Sequence, residues 1–283
     1  MSIELRRPTG ADLDDLARIC HEAFTDLAVR HGFPSDFPTI EIARGLLAAL
    51  VSHEQVYSVA AFDGGSARGS NYLNMWGDAA GIGPISVDVP TQDQRVGRTL
   101  MADVIAHGRS QGFEMIRLCQ DAFNMRSLAL YASLGFDTKE PIALLAPPEA
   151  ARVDPAFRPA TPADFAAMDA LCRAIYGISR WGEYDALSAL GIPAYVIDRG
   201  RITGYLIDSL AGHGVAESDD DLLALLAGAG AGNPGARSFV PIRSGELYRR
   251  ALAAGHRNVK VMNLMALGPY EEPRGSWLPS VFF

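Results

Sequence analysis

The sequence predicts an α/β protein, of the α+β mixed-sheet kind, built as two tandem domains. Three observations support this. At 283 residues the chain exceeds one domain of ordinary size. Short segments alternate apolar and polar residues, while longer ones repeat apolar residues at helical spacing. One stretch also occurs twice: "RPTGADLDDLARICHEAF" from Arg7 and "RPATPADFAAMDALCRAIY" from Arg158 run in register after a one-residue insertion. Thr9 then matches Thr161, Asp12 matches Asp164, Cys20 matches Cys172 and Phe24 matches Tyr176. Between the copies, residues 148–153 lie in an aperiodic, proline-bearing stretch that reads as a linker. The domains are therefore placed at residues 1–147 and 154–283.

The elements follow from local rules. Residues 3–6 form a short strand ended by Arg7-Pro8, since proline cannot donate the next ladder bond. Thr9 can cap a helix over 11–29, with Asp12 completing a capping box and Leu13, Leu16, Cys20 and Phe24 on one apolar face. A loop with two Phe-Pro steps leads to a helix over 40–51. Residues 56–62 and 70–76 read as strands of a hairpin turned at Gly64-Gly65. A strand over 82–89, a helix over 96–110 stopped by Gly112, a strand over 115–119, a helix over 125–134 and a strand over 142–145 complete the first half. In the second half Ser218 caps a helix that opens on three aspartates, and the glycine-rich run after it reads as a loose connector.

Composition narrows the function. The formal net charge is −8, with −7 in residues 1–150 and −1 in the rest, which argues against a general nucleic-acid binder. Three cysteines make no even disulfide framework, and their positions on apolar segments suit reduced, buried thiols. Six scattered histidines show no ligand spacing, so no metal site is expected. The first residues carry charge where a signal peptide would be apolar, and no apolar run approaches a membrane span. The expectation is a cytoplasmic protein without membrane or nucleic-acid partners; a homodimer is compatible with it.

Two stretches carry chemistry. In "ISVDVPTQDQRVGRTLM", a strand ends at Val89, Pro90 stops its pairing, and the chain turns at once into a helix. The free N–H groups and dipole of such a helix start suit phosphate oxygens, and Gly97 allows close backbone approach. Read alone, this is equally an ordinary junction with solvated Arg95 and Arg98. In "FNMRSLALYASLGF", Asn124, Ser127 and Tyr131 share one helix face, the outer two roughly 10 Å apart. Read alone, Asn124 is also a plain N-cap and Gly135 a left-handed stop.

In order and spacing the two stretches resemble the GNAT superfamily of N-acetyltransferases. Gln92 and Gly97 fall on its Gln/Arg-x-x-Gly-x-Gly/Ala motif, with Asp93 and Arg95 where glycines are common. Asn124, Ser127, Leu130, Tyr131, Gly135 and Phe136 match its Asn-x-x-Ala/Ser-x-x-Leu-Tyr-x-x-x-Gly-Phe pattern. The resemblance implies mixed, mostly antiparallel sheets flanked by helices, and acetyl-CoA as co-substrate in a gap between the fourth and fifth strands. By it, backbone near Ile85 and Val87 bonds the pantetheine, Gln92 and the amides of Gln94, Arg95, Val96, Gly97 and Arg98 hold the pyrophosphate, and Asn124 and Ser127 border the cofactor arm. Arg95 is expected to keep an ordinary φ and either to hinder the pyrophosphate or to bind it. Tyr131 would protonate the departing sulfur. The implied reaction is direct acetyl transfer to a small-molecule amine.

The base that the amine requires is less clearly marked. Glu22 and His21 lie near the Phe-Pro loop, Asp121 follows the fifth strand, and the carboxylate of Phe283 ends an apolar terminus. The second half resembles a degenerate GNAT-like domain: it has no matching turn, and its aspartates would repel a phosphate. The competing expectation, motivated by Asp93 and Arg95, is a non-catalytic acyl-CoA-binding or scaffolding protein.

Overall fold

In a computed structural model, which describes residues 3–282, the chain forms two β-sheets of nine and five strands with helices packed on them. The first half runs β1 (Glu4–Arg6), α1 (Leu13–His31), α2 (Ile40–Ser52), β2 (Val56–Asp63), β3 (Ser66–Asn74), β4 (Ala80–Ile82), β5 (Ser86–Val87), α3 (Val96–Ser110), β6 (Ile116–Asp121), α4 (Met125–Ser133) and β7 (Asp137–Ala146). The second runs β8 (Phe157–Pro159), α5 (Phe165–Tyr176), α6 (Trp181–Ala189), β9 (Ala194–Asp198), β10 (Ile202–Ile207), β11 (Gly214–Ala216), α7 (Asp219–Gly232), β12 (Ser238–Pro241), α8 (Gly245–Ala253), β13 (Arg257–Leu267) and β14 (Ser276–Leu278).

The repeated segment folds the same way twice. Thr9 with Asp12, and Thr161 with Asp164, form capping boxes, and Arg6 and Arg158 fork onto the box aspartates. Cys20 and Cys172 lie buried on the inner faces of α1 and α5. Gly64 and Gly65, both at positive φ, turn the β2–β3 hairpin. Two expectations are corrected. The fourth strand is not continuous over 82–89 but splits into β4 and β5 around a bulge. The glycine-rich run is not a loose connector, because α7 continues through it to Gly232. There a Cβ on Gly228 would meet the Phe157 ring at 2.5 Å, and one on Gly230 would meet Pro147 at 2.5 Å. These glycines allow close packing rather than flexibility.

The sheets do not divide where the sequence halves divide. The large sheet is ordered β1-β2-β3-β4-β6-β13-β7-β12, with β5 pairing β3. Thus β13, from the second half, lies between β6 and β7 of the first and pairs antiparallel with both. Lys260 on this strand is buried and reaches Asp121 at 2.7 Å and Asp36 of the α1–α2 loop at 2.7 Å. Burial disfavours its charge, but the two carboxylates outweigh that and hold its pKa above the ordinary lysine value. The smaller sheet, β14-β11-β10-β9-β8, belongs wholly to the second half.

Candidate active site

β4 and β6 run parallel only at Ala80↔Ile116 and Gly81↔Arg117, and then part. Beyond the bulge, Ser86 opposes Ser70 and the Asp88 amide donates to Arg68 O. Alternation in an antiparallel ladder then turns the amides of Ile85 and Val87 away from β3, into the gap beside β6. Both expected pantetheine positions therefore line an opening between two strands. The Val87 carbonyl is already used, accepting from Gln92 Nε2 at 3.3 Å. Its amide lies on the edge of β5 that faces away from β3.

At the outer end of this gap the chain turns into α3. Asp93 and Arg95 have φ of 69° and 68°. Arg95 thus departs from the ordinary φ expected of it. Left-handed backbone costs a non-glycine residue about 1–2 kcal/mol, so the surrounding loop imposes the conformation. The amides of Asp93, Arg95, Val96, Gly97 and Arg98 donate to no acceptor among the described residues. That of Gln94 donates to Thr91 O, so it does not join the cradle as expected. The result is a concave set of free amides leading into a helix N-terminus, a geometry that suits diphosphate oxygens. A Cβ at Gly97 would meet Val87 and Leu130 only at ordinary contact, so packing does not demand the glycine. Arg95 is exposed. Gln92 is committed to Val87 O and to Arg126, which also pairs with Asp93; it braces the loop from α4. Arg98 bonds Ser133 Oγ at 2.6 Å and likewise ties α3 to α4.

α4 carries the second motif. Asn124 Oδ1 accepts from the Ser127 amide at 3.1 Å, and Ser127 Oγ donates to Asn124 O at 3.0 Å. Both side chains are engaged in the helix start. Tyr131 is 6% exposed in the core between α3, α4 and the sheet, and makes no hydrogen bond among the described residues. Burial, then the Asp121 carboxylate, push its pKa up, so the phenol stays protonated and able to donate.

The expected bases do not converge on it. Glu22 is exposed on the outer face of α1 and pairs with Arg18 at 2.7 Å. His21 Nδ1 meets Phe37 O at 2.7 Å and braces the α1–α2 loop. Phe283 lies outside the described residues. Cys119 donates to Ser280 O, and burial pushes its thiol up to about 12, so it is inert. Asp121, at the end of β6, is half-buried; partial burial raises its pKa and Lys260 opposes that rise. Among the described residues, no group of three His, Cys, Asp or Glu could hold a metal, and no helix is long and apolar enough to cross a membrane.

One feature escaped sequence reasoning. β3 presents Ser70, Tyr72 and Asn74 at alternate positions on the α1 side, and Trp76 follows in step. Each has a buried polar atom without a hydrogen-bond partner: Ser70 Oγ, Tyr72 Oη, Asn74 Oδ1 and Trp76 Nε1. The polar spacing in "SNYLN" was the available signal.

The second half offers no matching gap. β11 is closed on its far edge by β14, and Ser218 Oγ already accepts the Asp221 amide at the start of α7. Its core instead holds a buried chain in which Arg180 meets Glu183 at 2.5 Å and Glu183 meets His213 at 2.6 Å. Burial, followed by Arg180, pushes His213 down to about 4 and keeps it neutral.

Residues 15–136 match the profile of the acetyltransferase (GNAT) family. Two solved structures share the fold over nearly the whole chain. A Pyrococcus horikoshii protein, described provisionally as an acetyltransferase, is 16% identical with a TM-score of 0.80, the match covering 99% of this chain and 94% of that one. A GCN5-related N-acetyltransferase of Sphaerobacter thermophilus is 17% identical with a TM-score of 0.64, covering 95% and 97%. No curated protein matches the sequence.

Proposed function

We propose, from the match of residues 15–136 to the acetyltransferase (GNAT) family model, that the protein binds acetyl-CoA and passes its acetyl group to the amine of a small molecule. The observation that carries this is the cradle of free amides at Asp93 and residues 95–98, held open by two non-glycine residues at positive φ beside parted strands. Left-handed backbone at two non-glycine residues of one turn costs free energy, and it aims unpaired amides at a common point. A diphosphate ligand accounts for both.

The residues fit the co-substrate as follows. The amides of Asp93 and residues 95–98 hold the diphosphate. Ile85 and Val87 offer backbone amides along the gap, one of which can steady the thioester oxygen. Asn124 and Ser127 flank the arm from α4, and Tyr131 donates its proton toward the sulfur. Asp121, at the end of β6 with Lys260 beside it, is better placed than Glu22 to take the proton of an incoming amine.

The test is a pair of substitutions read by calorimetric titration with acetyl-CoA. Arg95→Gly accepts the left-handed conformation without cost, so affinity should stay within about threefold and stability should rise by about 1 kcal/mol. Arg95→Pro cannot adopt positive φ, so affinity should fall at least tenfold. Equal losses in both would assign binding to the guanidinium rather than to the backbone.

A further inference from the structure

We propose that the cleft where Asn74, Trp76 and Asp78 of the first half face Ser179, Arg180 and Phe282 of the second is the acceptor subsite, and that it takes an amine bearing hydroxyl groups. This rests on the acetyl-transfer reading for its role, and on the following geometry for its chemistry. Asn74 is 2% exposed, and its Nδ2 donates to Gly81 O at 3.2 Å and Gly83 O at 3.4 Å. Two carbonyl partners fix the amide's orientation, so Oδ1 is the free end, and it has no partner. Trp76 Nε1 is a buried donor without an acceptor, while its ring stands edge-on to Phe282 at 5.3 Å. One vacant acceptor and one vacant donor on neighbouring walls suit a hydroxyl, which donates and accepts at once.

Charge in the cleft supports the same class. Arg180 is engaged by Glu183 at 2.5 Å and by Ser280 Oγ at 2.8 Å, so this wall is internally neutralised rather than set to bind a carboxylate. Asp78, exposed at the rim and bonded to the Ser179 amide at 3.2 Å, supplies a negative charge at the entrance for an ammonium group. Tyr72 and Ser70 continue the polar row along β3, where the Tyr72 carbonyl accepts from the Gly83 amide and Ser70 pairs with Ser86 of β5. The cleft wall also includes Gly81 of β4, the strand that leads on to Ile85.

The test is calorimetric titration of the full chain, saturated with CoA, with D-glucosamine and with cyclohexylamine, a ring amine lacking the hydroxyls. Glucosamine should bind at least tenfold more tightly than cyclohexylamine. Trp76→Phe, which keeps the ring and removes the N–H, should weaken glucosamine by about tenfold and leave cyclohexylamine unchanged. Unaltered CoA affinity controls for folding of the variant. No glucosamine binding, or equal weakening of both amines, overturns the subsite. Thiol release from acetyl-CoA is scored separately. Release with other amines but no glucosamine binding sinks the subsite alone. Glucosamine binding without release supports the subsite and counts against acetyl transfer.

Discussion

Replacing Tyr131 with phenylalanine is expected to lower kcat by two to four orders of magnitude while acetyl-CoA affinity stays within about threefold. The substitution is conservative in packing. The ring lies among Leu100, Leu118 and Phe136, and the hydroxyl makes no hydrogen bond among the described residues, so its removal leaves no protein group unpaired. Its loss should be felt only when charge develops on sulfur, and each decade corresponds to about 1.4 kcal/mol of transition-state stabilisation. Burial followed by Asp121 raises the phenol pKa above its ordinary value near 10, and thiols ionise near 8.5. Tyr131 therefore stays protonated through the working range, and in the proposed reaction its part would be a hydrogen bond donated to the sulfur, since releasing the proton outright is uphill. Because its pKa is raised, its ionisation should contribute no alkaline limb to kcat below about pH 10. A Y131F enzyme with kcat within threefold of wild type would remove Tyr131 from the mechanism.

The second large effect concerns the fold. Residues 1–147 alone should fail to unfold cooperatively, although they hold every proposed cofactor contact. β13 fills the place between β6 and β7, opposing residues 116–121 on one side and strand β7 on the other. Without it both strands expose open edges, and the half-buried Asp121 loses Lys260. Thermal unfolding followed by circular dichroism should show no sigmoidal transition for the fragment, and co-expression with residues 154–283 should restore one. In the full chain, Lys260→Met should destabilise by about 3 kcal/mol, as expected when one partner of a buried ion pair is removed. A cooperative melt from the fragment alone would show that the first half is self-sufficient.

Signals that lie close in sequence were legible. The capping boxes at Thr9 and Thr161, the hairpin at Gly64-Gly65, the 96–110 helix and the Asn124 cap each depend on residues a few positions apart. What failed depends on distance or on disguise. Nothing near residue 260 says that its strand pairs beside residue 119. The glycines of α7 read as a loop because composition does not show Phe157 and Pro147 pressing on them. Asp93 and Arg95 hid a glycine-like backbone behind side chains that seldom adopt it. Glu22 has the right chemistry on the wrong helix face, and the β3 row is hidden because polar alternation on a buried strand resembles an ordinary half-exposed one.

Residue-resolved amide hydrogen exchange with and without acetyl-CoA tests the central claim most directly. The claim predicts that the amides of Asp93, Arg95, Val96, Gly97 and Arg98, which have no protein acceptor, exchange at least tenfold more slowly once the co-substrate is bound. Saturable binding that leaves those five amides exchanging at their free rates would contradict it.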